Sequence, residues 1–420
     1  MSRSIHRVGL VSILSLWTCV ATAAEPLDTA SPSSAYRLRA DALGQAQSPT
    51  GVISLEGVAD PTPWARVEAS LWGGAKELEN TAALLVGALH LRAPGGWGEL
   101  SLGRMIVGPG AIRPLHLDGG KLSLRLPSHT EFQAFGGWTV ATDLSEEDHD
   151  WAVGGRVAQT WVDLGTLGVS WMQRREHGQL DDHEVGADLL IAPSADWDLS
   201  GRVAWDLVNP GFAEAIAAFR LKPGRDWRVE LEGVHRSASR ILPATSLFSV
   251  LGDLPSQRGV GRLRWTAAPR LSFELEGGAR RYEDALGETA RLRGVLKLDR
   301  VGASHLSAEL RREGGPAEVA HSGARVTLRV QLTPAWSMAT ELEIVRPDSG
   351  EDASATTQTL YGLTRAPSRG TWWPWGLVAS ELRLGEAWLL AAALEASSSA
   401  SREWNLDALA RLSWFWENES

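Results

Sequence analysis

The stretch Trp197-Asp198-Leu199-Ser200-Gly201-Arg202-Val203-Ala204-Trp205-Asp206 decides the reading of the whole chain. Trp197, Leu199, Gly201, Val203 and Trp205 fall at every second position, and Asp198, Ser200, Arg202, Ala204 and Asp206 fall between them. Side chains of a β-strand alternate between its two faces, so this spacing predicts a strand with one apolar and one polar face.

The split recurs on either side. Trp227, Val229 and Leu231 stand against Arg228, Glu230 and Glu232; Leu292, Gly294, Leu296 and Leu298 stand against Arg291, Arg293, Lys297 and Asp299. From Tyr36 to Trp416 the same plan repeats, with segments of roughly eight to twelve residues separated by breaks rich in Gly, Pro, Asp or Ser. Tight breaks such as Pro223-Gly224-Arg225, Ala268-Pro269 and Thr333-Pro334-Ala335 alternate with longer polar ones. The candidate long loops are Thr139 to Asp150, Glu176 to His183, Ser237 to Ser256 and Pro347 to Thr356. No linker divides the chain into domains.

Short turns on one side and long loops on the other are the habit of transmembrane barrels, whose strand number is even when both ends lie on the periplasmic side. Counting segments gives about 22 or 23, with the parity broken at Ala366 to Ala387, where Trp372, Trp373, Pro374 and Trp375 interrupt the alternation. The expected fold is all-β: a single antiparallel up-and-down transmembrane β-barrel of about 20 to 22 strands, with short periplasmic turns and longer external loops.

A soluble all-β protein also alternates, and three features weigh against it. Tryptophan occurs 20 times, often near segment ends, as at Trp64, Trp151, Trp161, Trp205, Trp227, Trp265, Trp336, Trp404, Trp414 and Trp416, which is where interfacial girdles place it. The apolar faces mix Ala and Gly with Leu and Val, which suits a wall against lipid better than a close-packed core. The last segment sets Leu406, Ala408, Ala410, Leu412, Trp414 and Trp416 against Asp407, Leu409, Arg411, Ser413 and Phe415, an aromatic-rich amphipathic strand of the outer-membrane kind.

The start of the chain is consistent with that location. Arg3, His6 and Arg7 precede the apolar run Val8 to Val20, which ends in Ala21-Thr22-Ala23-Ala24, the pattern of a cleavable secretory leader. The expected organisation is a signal peptide over 1–24 and a barrel over 25–420, secreted across the inner membrane and placed in the bacterial outer membrane. Cys19, the one cysteine, lies in the leader, so disulfides and thiolate metal sites are not expected. No later segment has the roughly 18 consecutive apolar residues of a membrane helix.

The net charge of −10 comes without basic blocks, which argues against nucleic acid as a partner. Cys-x-x-Cys-His, Gly-x-Ser-x-Gly, phosphate-loop and His-Glu-x-x-His motifs are missing, so neither an enzyme nor a cofactor is expected. The clusters Glu146-Glu147-Asp148-His149-Asp150 and Asp181-Asp182-His183-Glu184 have the residue types for a divalent cation or an Asp-His pair; solvated acidic loops account for them equally well.

The polar faces carry an ordered series of charges. Glu230 and Glu232 are followed by Arg262 and Arg264, then Glu274 and Glu276, Arg291 and Arg293, Glu309 with Arg311, Arg325 and Arg329, and Glu341 and Glu343. On adjacent antiparallel strands these would face one another as a ladder of opposite signs, each pair contributing about 0.2–1 kcal/mol. One reading is a water-filled pore whose transverse fields orient polar solutes; the other is wall-lining ion pairs that only stiffen the sheet. In either reading the charges cancel, which predicts weak selectivity.

Leu102-Gly103-Arg104, Gly108-Pro109-Gly110 and Leu117-Asp118-Gly119-Gly120 form the most irregular stretch, whose glycines and prolines are expected to exclude regular strand over about fifteen residues. This spacing resembles a segment of alginate-export-like porins and of porin components of outer-membrane electron conduits, over roughly a tenth of the chain. The resemblance implies a loop folded into the lumen, with Arg104, Arg113, His116 and Asp118 at a constriction; an ordinary external loop is the other reading. The expected function is a channel for passive passage or export of a hydrophilic solute or polysaccharide. The alternative is a barrel sheath around a multihaem cytochrome or beside a periplasmic polysaccharide exporter.

Overall fold

The computed structural model describes residues 35–45, 50–76, 79–140, 150–176, 178–237, 256–282, 285–315, 320–348, 372–399 and 402–419. The expected leader over 1–24 and the cluster over 146–149 lie outside them. The described chain runs through β1 (Ala35–Gln45), β2 (Thr50–Thr62), β3 (Ala65–Lys76), β4 (Glu79–Arg92), β5 (Gly98–Val107), β6 (Leu115–Arg125), β7 (Thr130–Thr139), β8 (Trp151–Trp161), β9 (Gly165–Glu176), β10 (Gln179–Ile191) and β11 (Trp197–Asp206). It continues through β12 (Gly211–Leu221), β13 (Trp227–Arg236), β14 (Ser256–Ala268), β15 (Leu271–Tyr282), β16 (Ala285–Lys297), β17 (His305–Glu313), β18 (His321–Thr333), β19 (Trp336–Pro347), β20 (Trp373–Leu384), β21 (Trp388–Ser399) and β22 (Arg402–Glu419).

Each strand pairs antiparallel with its chain neighbours, and β1 also pairs with β22, so the 22-stranded sheet closes on itself. The closing register sets Leu38 opposite Trp416 and Ala40 opposite Trp414, and Arg37 Nε donates to Glu417 Oε1 at 2.7 Å. Glu417, Asn418 and Glu419 are thus still strand, because β1 needs their backbone groups as partners. With strands about 4.8 Å apart and tilted about 40°, such a cylinder is roughly 40 Å across from backbone to backbone.

The two faces are chemically distinct. Leu231, Leu275, Leu292, Leu310, Leu342 and Leu394 are exposed on the outer face, and a Gly/Ala stripe crosses it where Gly201, Ala217, Gly233, Gly259 and Ala279 are successive register partners. Exposed aromatics collect at both ends of the wall. Trp64, Trp97, Trp161, Trp227, Trp265, Trp336, Trp388 and Trp416 mark the rim that carries both chain ends, and Trp138, Trp151, Trp171, Phe212 and Trp372 mark the far rim. An apolar band between two aromatic belts on a sheet without edges is the structure of a membrane-spanning barrel.

Three sequence expectations need correction. Within the interruption expected over Ala366 to Ala387, Trp373–Leu384 form the strand β20, and 366–371 lie outside the described residues; Pro374 is tolerated because it pairs with Ile344 of β19 while the β21 register begins one residue later, at Trp375. Counting β20 as one strand restores the even number. The loop expected at Glu176 to His183 is a tight hairpin, since β9 ends at Glu176 and β10 begins at Gln179, with a bulge between Leu180 and Asp182. The irregular stretch around residue 110 is shorter than expected. Gly103, Gly119 and Gly120 are in strand, and only 108–114 leaves the sheet.

Gly103 shows why glycine stands in that strand: its φ is +117°, and a Cβ there would lie 2.1 Å from the Gly87 carbonyl oxygen. Gly103→Ala is therefore expected to destabilise the barrel by about 1–3 kcal/mol or more. Gly233→Ala, with nothing within 4 Å of the added carbon, should be near neutral. Heat-modifiable electrophoretic mobility and denaturant midpoints in micelles measure both.

Candidate pore and constriction

Register fixes which side chains share the inner face. Arg228, Arg264, Glu274, Arg293, Glu309, Arg325 and Glu343 are successive cross-strand partners from β13 to β19. A parallel row runs Glu230, Arg262, Glu276, Arg291 and Arg311. Glu232, Arg329 and Glu341 share the parity of these rows, so all twelve residues expected to line the pore lie on the face opposite the exposed leucines.

The ladder is made of specific contacts. Arg262 donates to Glu276 at 2.6 Å and to Glu230 at 3.3 Å; Arg291 donates to Glu274 at 2.8 Å and Glu276 at 3.0 Å; Arg325 donates to Glu343 at 2.7 Å. Arg311 also reaches Glu343. These side chains are partly exposed to the lumen, so water screens each pair, which contributes well under about 1 kcal/mol.

The sector from β4 to β12 is built differently. There the connector 108–114 folds off the wall and packs inside the barrel. Ala111, Ile112 and Arg113 are at most 2% exposed. Ile112 joins Ala88, Met105, Val107, Leu115, Leu117, Phe135, Ala152 and Met172 in an apolar cluster on the inner face; burying one such side chain is worth about 1.5–3 kcal/mol. Gly110 turns the connector at φ +66°, and a Cβ there would lie 2.4 Å from the Asp188 carboxylate and 2.9 Å from Arg156.

Arg113 clamps the far end of the connector. Its Nε donates to Glu184 Oε1 at 2.8 Å, its Nη2 to the same oxygen at 2.5 Å, and its Nη1 lies 3.1 Å from Asp182 Oδ1. Burial alone would lower its pKa, but Glu184, Asp182 and Asp206 together hold it raised, so the guanidinium stays charged. Arg174 donates to the other oxygen of Asp182 at 2.6 Å and also pairs with Asp181. Arg156 and Asp188 form a bidentate pair at 3.0 and 2.5 Å beneath the loop. The cluster Asp181 to Glu184 is thus neither a solvated loop nor a cation site; it lies on β10, and arginines engage its buried carboxylates.

The other three residues of the expected constriction are elsewhere. Arg104, His116 and Asp118 share a face with the exposed Leu102, Ile106 and Leu122, because Arg104 pairs with Asp118 and Ile106 with His116. They form an outer-wall cluster: Arg104 donates to Asp118 at 2.8 and 2.6 Å and to the Leu84 carbonyl at 3.1 Å, while His116 Nε2 lies 2.5 Å from the Leu85 carbonyl. Asp118 is the register partner of Trp138, so the cluster sits at the far aromatic belt, where polar groups meet the headgroup layer. Of the four, Arg113 alone enters the lumen.

Sequence reading missed Glu184 and Asp182 as the partners of Arg113, and missed Arg174 and the Arg156–Asp188 pair that surround them. A signal was present: Met105, Val107, Leu115 and Leu117 make the inner faces of β5 and β6 apolar near the connector, which requires a cover on that side.

Removing one member of a buried pair strands the other. Arg113→Met is expected to cost about 3–5 kcal/mol, and Arg113→Met with Glu184→Gln to recover part of that loss, as read from urea midpoints in micelles.

No family model and no curated protein matches the chain. Solved structures similar to it include the translocation pore of the P pilus usher PapC, with TM-score 0.53 and 9% identity over 91% of this chain and 99% of that one. The copper transporter OprC matches with TM-score 0.57 and 10% identity over 93% of this chain and 82% of that one. The outer-membrane protein OprD from Pseudomonas aeruginosa aligns with TM-score 0.36 and 11% identity over 93% and 94% of the two chains. At 9–10% identity the likeness to the PapC pore and to OprC is one of fold: this chain shares their closed barrel architecture.

Proposed function

We propose that the chain is an outer-membrane channel for hydrophilic solutes, with Arg113 and its connector narrowing one mouth. The observation that carries this reading is the inner face from β13 to β19, where charged side chains line a wall roughly 40 Å across and stay partly exposed. A hydrated lumen explains why so many charges are retained there. Because Glu230, Arg262, Glu276 and Arg291 alternate along one row and Glu274, Arg293, Glu309, Arg325 and Glu343 along the other, the wall presents no ring of one sign, and bulk selectivity at ordinary salt is weak. The apolar sector under 108–114 is a dry ledge that fixes the connector against the wall.

The width favours a second reading. A folded domain of about 100 residues has a radius of gyration near 13 Å, so a barrel of this size could surround a small protein. In that reading the chain is the sheath of a conduit holding a multihaem cytochrome or serving a polysaccharide exporter.

Planar-bilayer recordings of the purified protein separate the two. The channel reading expects discrete conductance steps, and replacing 108–114 by a short Gly-Asn turn should raise their size. Silent bilayers, with co-purification of a periplasmic protein from native membranes, would favour the sheath.

A further inference from the structure

Sign alternation fails at Arg291–Arg311, where Glu274, Glu276 and Glu343 engage the two guanidiniums, and it fails without such compensation at the rim where β1 begins and β22 ends. Arg228 of β13 and Arg264 of β14 are direct register partners, an arrangement of like charges that costs about 0.2–1 kcal/mol. Two strands on, Lys297, His305 and Arg329 follow one another across β16, β17 and β18 with no carboxylate in their row. Arg228, Arg264, Lys297 and Arg329 are exposed, and none has an ion pair with a described residue. Three nearby carboxylates are engaged, Glu230 with Arg262, Glu274 with Arg291, and Asp299 with the amides of Gly302, Ala303 and Ser304, and the exposed Asp226 stands against Arg225 and Arg228 in the count of charges. Arg225, Arg270 and Arg300 add cations in the connectors of the same rim. Elsewhere on that rim several basic groups are paired, as in Arg37–Glu417 at 2.7 Å, Arg92–Glu99 at 3.1 Å and Arg220–Asp198 at 3.3 Å.

We propose that this mouth is an anion-collecting vestibule, in which Arg228, Arg264, Lys297 and Arg329 attract small solutes bearing two or more carboxylate or phosphate groups. The inference rests on the channel reading and gives it a substrate class. Four cations without an ion pair among the described residues, on the inner face of β13, β14, β16 and β18, concentrate positive potential on one arc of one mouth in a chain whose net charge is −10. The connector held by Arg113 stands at the opposite mouth, so the pore is electrically and sterically asymmetric. The field reaches about 10 Å at 0.1 M salt and about 30 Å at 0.01 M. It therefore covers only part of the opening at ordinary ionic strength and the whole of it when salt is low. Weak selectivity in concentrated salt and anion preference in dilute salt follow from the same wall.

Reversal potentials under a KCl gradient test the proposal. Wild type should shift toward anion preference as salt is lowered from about 1 M to about 0.01 M. The fourfold variant R228Q/R264Q/K297Q/R329Q should lose that shift, and neutralising the intact pair of the same rim, R92Q/E99Q, should keep it. Conducting channels whose low-salt reversal potential is the same in wild type and the fourfold variant would overturn the vestibule and leave the channel standing; absence of conductance would instead count against the channel. Titration calorimetry with citrate in low salt reads the site without conduction. Citrate should bind wild type about tenfold or more tightly than the fourfold variant, as expected when a focusing field is removed, and equal affinities would overturn the proposal. Heat-modifiable mobility verifies that each variant has folded.

Discussion

A backbone amide or carbonyl left unpaired in hydrocarbon costs several kcal/mol, and the rest of the structure follows from meeting that demand. A sheet in lipid can have no edge, so β1 must find β22, and the register from Ala35–Glu419 to Gln45–Leu409 provides the pairing. Closure at 22 strands sets the diameter, the diameter makes the interior too wide for side chains to fill, and an interior that cannot be filled is wet. The charges of the inner face are tolerated because water reaches them, and the leucines of the outer face are tolerated because lipid does.

Within that wet interior the protein builds one dry region. Between β4 and β12 an apolar cluster and buried ion pairs hold the connector 108–114 to the wall, with Arg113 shared between Glu184 and Asp182. Buried pairs contribute little net stability when intact and cost several kcal/mol when broken; their effect is to fix position. Between β13 and β19 the pairs are wet and individually weak, and they set register and stiffness. One sheet thus uses the same residue types for two purposes, separated by whether water is present.

The barrel was legible from Trp197 to Asp206 and its repeats, because period-two alternation of apolar and polar residues is a local property. The ladder was legible too, since antiparallel neighbours inherit their pairing from the turns between them. Three things were not. Trp373-Pro374-Trp375 read as a break because the missing neighbour that accommodates Pro374 is a matter of sheet register. Asp181 to Glu184 read as solvated because the arginine that desolvates Glu184 is 71 residues away in sequence. Arg104, His116 and Asp118 were grouped with Arg113 through the resemblance to a porin loop folded into the lumen, yet strand parity sends the three to the lipid side and the connector carries Arg113 inward.

The central claim is that alternate residues of one wall face water and lipid, and a cysteine scan along β15 tests it most directly. In a background without Cys19, single cysteines at Phe273, Glu274, Leu275 and Glu276 would be exposed to a membrane-impermeant thiol reagent during single-channel recording. The structure predicts stepwise changes in conductance at Glu274 and Glu276 and none at Phe273 and Leu275. Uniform reactivity at all four positions, or reactivity at Phe273 and Leu275 alone, would contradict it.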